Sequence, residues 1–173
     1  IRSDVEPFTR SPATTFSAFR VKKDILRQSS IVVLATNRTS GGAGLPESSF
    51  GVDGVFKFRK NVYSNIYWAT TPRADGAPKT ASYRAQLDYP ADRYGLQLEH
   101  LFVGQRFSPE LGFVRRPDMR KSYAYGRFSP RTKHHPWIRK YTLEGSASRI
   151  SNHTGRVEST AAVGTFALDL HSS

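Results

Sequence analysis

The sequence predicts an all-β fold, an antiparallel up-and-down meander of about eight to ten long strands, and three observations predict it. The first is alternation. In "TASYRAQLDY" (80–89), Ala81, Tyr83, Ala85, Leu87 and Tyr89 share one parity and Ser82, Arg84, Gln86 and Asp88 the other, which is the period of a strand with two unlike faces. The second is palette: Tyr (8) and Phe (11) are plentiful and no stretch carries a helical period, as befits strands. The third is rhythm, because short links at 27–28, 60–61 and 89–94 alternate with longer ones at 39–47, 71–79 and 108–118.

Nine strands follow in order. In 15–26, Phe19, Val21 and Ile25 oppose Arg20, Lys22 and Asp24. The next, 29–38, is apolar on both parities. In 48–60, Phe50, Val52, Phe56 and Phe58 oppose Asp53, Lys57 and Arg59. Strand 62–71 lies between a short link and a long one, and 79–89 is the alternating stretch above. In 94–106, Tyr94, Leu96, Leu98 and Phe102 oppose Gln97, Glu99 and Gln105. Strands 118–129 and 156–170 alternate less clearly, and 137–150 lies between them. After residue 130 the rhythm decays, since 130–136 is long where a short link is due.

Most of these strands run about ten to thirteen residues, about twice the soluble mean of roughly 5–6, and match the roughly 9–11 tilted residues that cross a bilayer. Long strands with alternating short and long connections are the pattern of up-and-down outer-membrane barrels. Tyr63, Tyr89, Tyr94, Phe107, Phe128 and Trp137 near strand ends suit a membrane interface. The expectation is therefore part or all of a transmembrane β-barrel in a bacterial outer membrane, spanning 1–173 as a single region after an extended lead-in at 1–14. The chain opens on Ile1 with no signal-like stretch before the strands, which reads as a processed or excised piece. Nine is an odd count where single-chain bacterial barrels use even ones, so remaining strands of the same barrel are expected as partners.

The longest purely apolar run, 31–35, is far short of a spanning helix. The absence of Cys excludes a disulfide scaffold and thiol chemistry. A net charge of +12 invites a polyanion or an anionic membrane. With the polar parity inward, the lumen receives Arg20, Lys22, Lys57, Arg59, Arg84 and Lys140 against Asp24, Asp53, Asp88, Glu99 and Glu144. That near balance suits an enclosed interior, where charges must pair. The positive excess then falls in loops and at strand ends, including Arg115, Arg116, Arg120 and Lys121, where lipid phosphates or an anionic ligand are to be met.

The stretches "FRVKKDILRQSSIVVLATNRTS" (19–40), "GVDGVFKF" (51–58) and "FSPELGFVRRPDMRKSY" (107–123) resemble a family of uncharacterised bacterial outer-membrane barrel proteins. Its members often carry an amino-terminal carbohydrate-binding module of the family-nine type. The Phe-x-Pro-x-x-Gly-Phe-Val-x-Arg pattern at 107–116 is the most specific part; in 19–40, Val32 and Val33 depart from the family's pattern where a small residue belongs. The resemblance implies barrel architecture, a link to saccharides and no assigned activity or catalytic residue. Within 107–123, Pro109 and Pro117 interrupt strand pairing, Gly112 allows a turn, and Phe113 and Val114 supply an apolar anchor. Such a loop is held, and can fold into a lumen or cover a rim.

Other chemistry finds little footing. "TSGGAGLPESS" (39–49) lacks the Lys-Ser/Thr ending of a phosphate loop. His134 and His135 project oppositely and have no partner at ligand spacing. "SNHT" (151–154) carries no weight as a glycosylation signal, and His100 reads as a half-buried histidine. No cofactor or metal is expected. The partners expected are outer-membrane lipid or lipopolysaccharide, a saccharide and further strands, without nucleic acid. Two other readings stay open: a soluble basic β domain binding nucleic acid or another polyanion, and a membrane-embedded hydrolase using Asp88, Glu99 and Arg84.

Overall fold

The computed structural model describes residues 14–40, 47–72, 76, 80–109, 114, 116–132 and 137–170. All nine expected strands form: β1 (Thr14–Ile25), β2 (Ser29–Ser40), β3 (Glu47–Phe58), β4 (Val62–Thr70), β5 (Ala81–Pro90), β6 (Tyr94–Val103), β7 (Met119–Phe128), β8 (Ile138–Ser151) and β9 (Val157–Leu170). They make one sheet in sequence order, each strand antiparallel to the next. The all-β meander is thus observed. The lead-in lies outside the described residues except for Thr14, which opens β1.

Directly opposed residues of an antiparallel pair share a face, so register carries a face across the sheet. Val33, Val52, Trp68, Tyr83 and Phe102 form one continuous row. This apolar side is bare: Phe50, Val52, Trp68, Tyr83, Leu87 and Leu98 are each 37 to 48% exposed. Among the described residues only Val32 and Val103 are buried apolar side chains, so no hydrophobic core of the ordinary kind exists. The opposite side is the more crowded one. Gly126 and Gly145 are exposed on the apolar side while Gly95 is half-buried on the other, and along β8 half-buried Ser146 and Ser148 flank exposed Ala147. Residues this small cannot owe the difference to their size; the sheet curls toward its polar side, hereafter the inner face.

The curl does not close among the described residues. β1 and β9 each pair with a single neighbour, and their side chains are exposed on both faces almost throughout. Near these edges and in β2 and β3 the inner face also carries apolar groups, namely Phe16, Leu34, Val55 and Val163. Two bulges mark the β8–β9 pairing, which passes over Arg139 at one end and Glu158 at the other.

The links repeat the expected rhythm. At one end run 26–28, 59–61, 91–93 and the longer 129–137; at the other run 71–80, 104–118 and 152–156, with 41–46 outside the described residues. One expected position changes. β3 ends at Phe58, opposite Val62, and Arg59 enters the link with a φ of 53°. A three-residue reversal needs that left-handed step, so Arg59 is exposed in a turn and does not join the inner face.

Candidate functional site

Register puts Arg20, Lys22, Arg38, Lys57, Arg84, Lys121, Arg127 and Lys140 on the inner face, with Asp24, Glu47, Asp53, Asp88, Glu99, Glu144 and Asp169. Every described carboxylate in register within a strand is therefore on that face. The densest cluster is on β5–β7. Glu99 accepts from Arg84 Nη2 at 2.8 Å on one carboxylate oxygen and from Lys121 Nζ at 3.1 Å on the other. Arg84 Nη2 also donates to Gln86 Oε1, and Gln86 Nε2 donates to Asp88 Oδ2 at 2.7 Å. The result is a continuous chain from Lys121 to Asp88. Strand alternation makes it: residues 84, 86 and 88 line one edge of β5, and Glu99 and Lys121 face them from the next two strands.

The other expected inner charges are more dispersed. Lys22 and Asp24 lie 3.3 Å apart on exposed β1, where a salt bridge contributes little. Lys57 Nζ sits 5.3 Å from the Tyr63 ring centroid. Arg20 is exposed on the edge strand, and Asp53 sits opposite Val32 and Tyr67 without an ion-pair partner among the described residues.

The expected basic loop divides. Arg115, like His134 and His135, lies outside the described residues. Arg116 is in the 104–118 connection and pairs with Glu158, the residue displaced at the β8–β9 bulge. Arg120 and Lys121 are not loop residues: both belong to β7, and as neighbours on a strand they face opposite sides. Lys121 joins the inner cluster. Arg120 points outward with its guanidinium 5.6 Å from the Phe102 ring centroid.

The described residues of the 104–118 connection lie over the inner face. Phe107, Val114 and Arg116 cover Tyr67, Ser82, Leu101, Met119 and Lys121, enclosing a pocket of about 540 Å³. It is pinned at three places. Gly104 donates its N–H to Ala81 O at 2.9 Å, Ser108 N–H reaches Thr71 Oγ1 at 3.4 Å, and Asp118 Oδ1 accepts from His153 N–H at 3.0 Å and His153 Nδ1 at 2.7 Å. Beneath it, Ser82 is 1% exposed and satisfied, donating to Phe102 O at 2.9 Å and sharing a 3.1 Å bond with the Tyr67 hydroxyl. "SNHT" has a structural role as well: Asn152 Oδ1 accepts from Thr154 N–H, Thr154 Oγ1 and Arg156 N–H, fastening the turn that carries His153.

Asp118 has a φ of 55°, a conformation Asp and Asn tolerate and Ala resists. Asp118→Asn is expected to cost about 1 kcal/mol through a weakened hydrogen bond, and Asp118→Ala about 1–2 kcal/mol more through backbone strain. Unfolding midpoints and the rate of protease cleavage within 104–118 check this, and equal effects of the two substitutions would refute the strain argument.

Of the residues the hydrolase reading would use, Glu99 is committed to two cations, Arg84 among them, and Asp88 to Gln86. The outward face does pair His100 Nδ1 with Ser122 Oγ at 3.1 Å, yet no described carboxylate lies in register on that face to orient the ring. The buried hydroxyls Ser82 and Thr71 and the Asp118–His153 link went unread in the sequence, because each partner lies 9 to 37 residues away. Compared with family models, characterised proteins and solved structures, the chain matches none of them, so the likeness of 19–40, 51–58 and 107–123 rests on those segments alone.

Proposed function

We propose that the chain is a wall of a transmembrane β-barrel in a bacterial outer membrane, serving as channel, receptor or scaffold. The observation that carries this is the inversion of the sheet: its apolar side is uncovered and its described in-register strand carboxylates face the other way. In water such a surface is a liability, whereas lipid is its natural cover. Dimensions agree. The ten residues of β5, β6 or β7, at about 3.4 Å each and tilted about 40°, rise roughly 26 Å, close to the apolar band of such barrels at about 25 Å. No described helix is long and apolar enough to cross a membrane, so a crossing is made by strands.

Aromatic placement supports the same reading. Tyr94 and Phe128 stack at 5.4 Å with the Arg93 guanidinium 5.4 Å from both rings, and exposed Tyr89, Phe58 and Trp137 stand at the same short-link end. That is an interface girdle. The open edges of β1 and β9 need partners in lipid, where unpaired backbone groups are costly, and further strands supply them. Within the barrel, the loop-covered pocket offers rings from Tyr67 and Phe107 and polar groups from Lys121 and Arg116. This mixed lining suits the saccharide that the family resemblance implies.

Trp68, on the apolar face and 47% exposed, is the reporter. Folded into phosphatidylcholine vesicles, the chain is expected to show Trp68 emission quenched by lipids brominated in the acyl chain, with Trp137→Phe removing the other indole. A chain that stays monodisperse without detergent and shows no such quenching overturns the proposal. The soluble reading draws on one feature, the net charge of +12 beside exposed rings. Detergent-free oligonucleotide binding that weakens steeply with salt would put it in place of the barrel.

A further inference from the structure

The outward side of β6–β9 is graded along the strands. From the 104–118 end toward the short-link end, β7 shows Arg120, Ser122, Ala124, Gly126 and Phe128; β8 shows Ser151, Arg149, Ala147, Gly145 and Leu143. On β9, Thr160, Ala162, Gly164 and Phe166 continue the same rows. The sheet is thus polar and basic at one end, smooth in the middle and aromatic at the other. The alanine part of this smooth region forms a shallow groove, which the glycines do not line. A groove of about 640 Å³ runs over Ala85, Leu87, Leu98, Ala124 and Ala147, and His100, Ser122, Arg149 and Thr160 line it too. A Cβ built at Gly126, Gly145 or Gly164 meets nothing within 4 Å.

Charge identifies the occupant. Arg120 and Arg149 point outward near the ends of β7 and β8, and no carboxylate among the described residues lies in register on their face. On the inner face, by contrast, Arg84 and Lys121 share Glu99. At the edge of hydrocarbon an arginine snorkels to the headgroup level at little cost, where a bidentate phosphate contact is open to it. We infer that this groove seats an anionic phospholipid, its phosphate held by Arg149 beside the His100–Ser122 pair with Arg120 reaching it from the next row, and its acyl chain lying along Ala147, Ala124, Leu98 and Leu87. The inference rests on the barrel reading and adds a specific lipid partner to it.

The test uses the chain folded in dodecylmaltoside, titrated with dioleoylphosphatidic acid or dioleoylphosphatidylcholine and read by native mass spectrometry. Wild type is expected to retain phosphatidic acid at least tenfold more tightly. Arg120→Gln/Arg149→Gln should abolish that preference while leaving Trp68 quenching in vesicles unchanged, so a lost lipid site is told apart from a lost insertion. Ala147→Leu, which fills the groove and keeps both arginines, should weaken both lipids alike, and Lys57→Gln on the inner face should change neither. The proposal is overturned if the double variant keeps the tenfold preference. It is also overturned if millimolar inorganic phosphate displaces the lipid as a free anion would, or if the groove proves to be covered by a second copy of the chain. Absence of Trp68 quenching in wild type overturns the barrel and the lipid seat together.

Discussion

Leu98→Arg is expected to lower the unfolding free energy of the bilayer-inserted chain by about 2–4 kcal/mol, the penalty for arginine near the midplane of a lipid-facing barrel wall. Leu98 is in the middle of β6, opposite Leu87 on one side and Ala124 on the other, and is 42% exposed with nothing packed over it. The same substitution on a sheet face bathed in water would fall within about 0.5 kcal/mol of neutral. One residue therefore separates the two solvents by a wide margin. Reversible denaturant titration in phosphatidylcholine vesicles measures it, with Leu98→Ala as the reference that removes bulk without adding charge. A change under about 0.5 kcal/mol in vesicles would remove lipid from the outward face.

Glu99→Gln should cost about 2 kcal/mol. Its carboxylate is the shared acceptor of Arg84 and Lys121, and its side chain is only 10% exposed. Removing one member of a fully buried ion cluster costs about 3–5 kcal/mol because the remaining charges are left unpaired. Arg84 and Lys121 are about a third exposed, so water screens part of that loss. The combination Glu99→Leu/Arg84→Met/Lys121→Met is expected to recover most of it, since apolar groups of similar volume can replace a buried cluster at little cost. Thermal midpoints of the single and triple variants decide the matter. A triple variant as unstable as Glu99→Gln would show that the cluster contributes net stability, beyond matching its own charges.

Much of the fold was legible because alternation is a local signal. Ala81 to Tyr89 announce a strand and its two faces within ten residues, whatever lies beside them. Strand ends were harder, since they depend on pairing. β6 stops at Val103 while the Gly104 N–H still pairs with Ala81 O, and Arg59 leaves β3 because the reversal to β4 needs a positive φ there. The candidate site was legible only as a list of inward charges. That Arg84 meets Glu99 while Asp53 meets no cation among the described residues follows from register and curl, which fix distances between residues far apart in the chain.

What the sequence determined alone is the strand set, the up-and-down order and the division into an apolar and a polar face, because each follows from residues within a few positions of one another. The tertiary structure decided that the polar face curls inward and that the described residues of the 104–118 connection lie over it against Thr71 and His153. It also brought Lys121 and Arg84 to one carboxylate, Glu99, and it left β1 and β9 with open edges. These outcomes depend on how nine strands align and bend together, and a period of two holds no information about curvature or about which distant hydroxyl a loop will find.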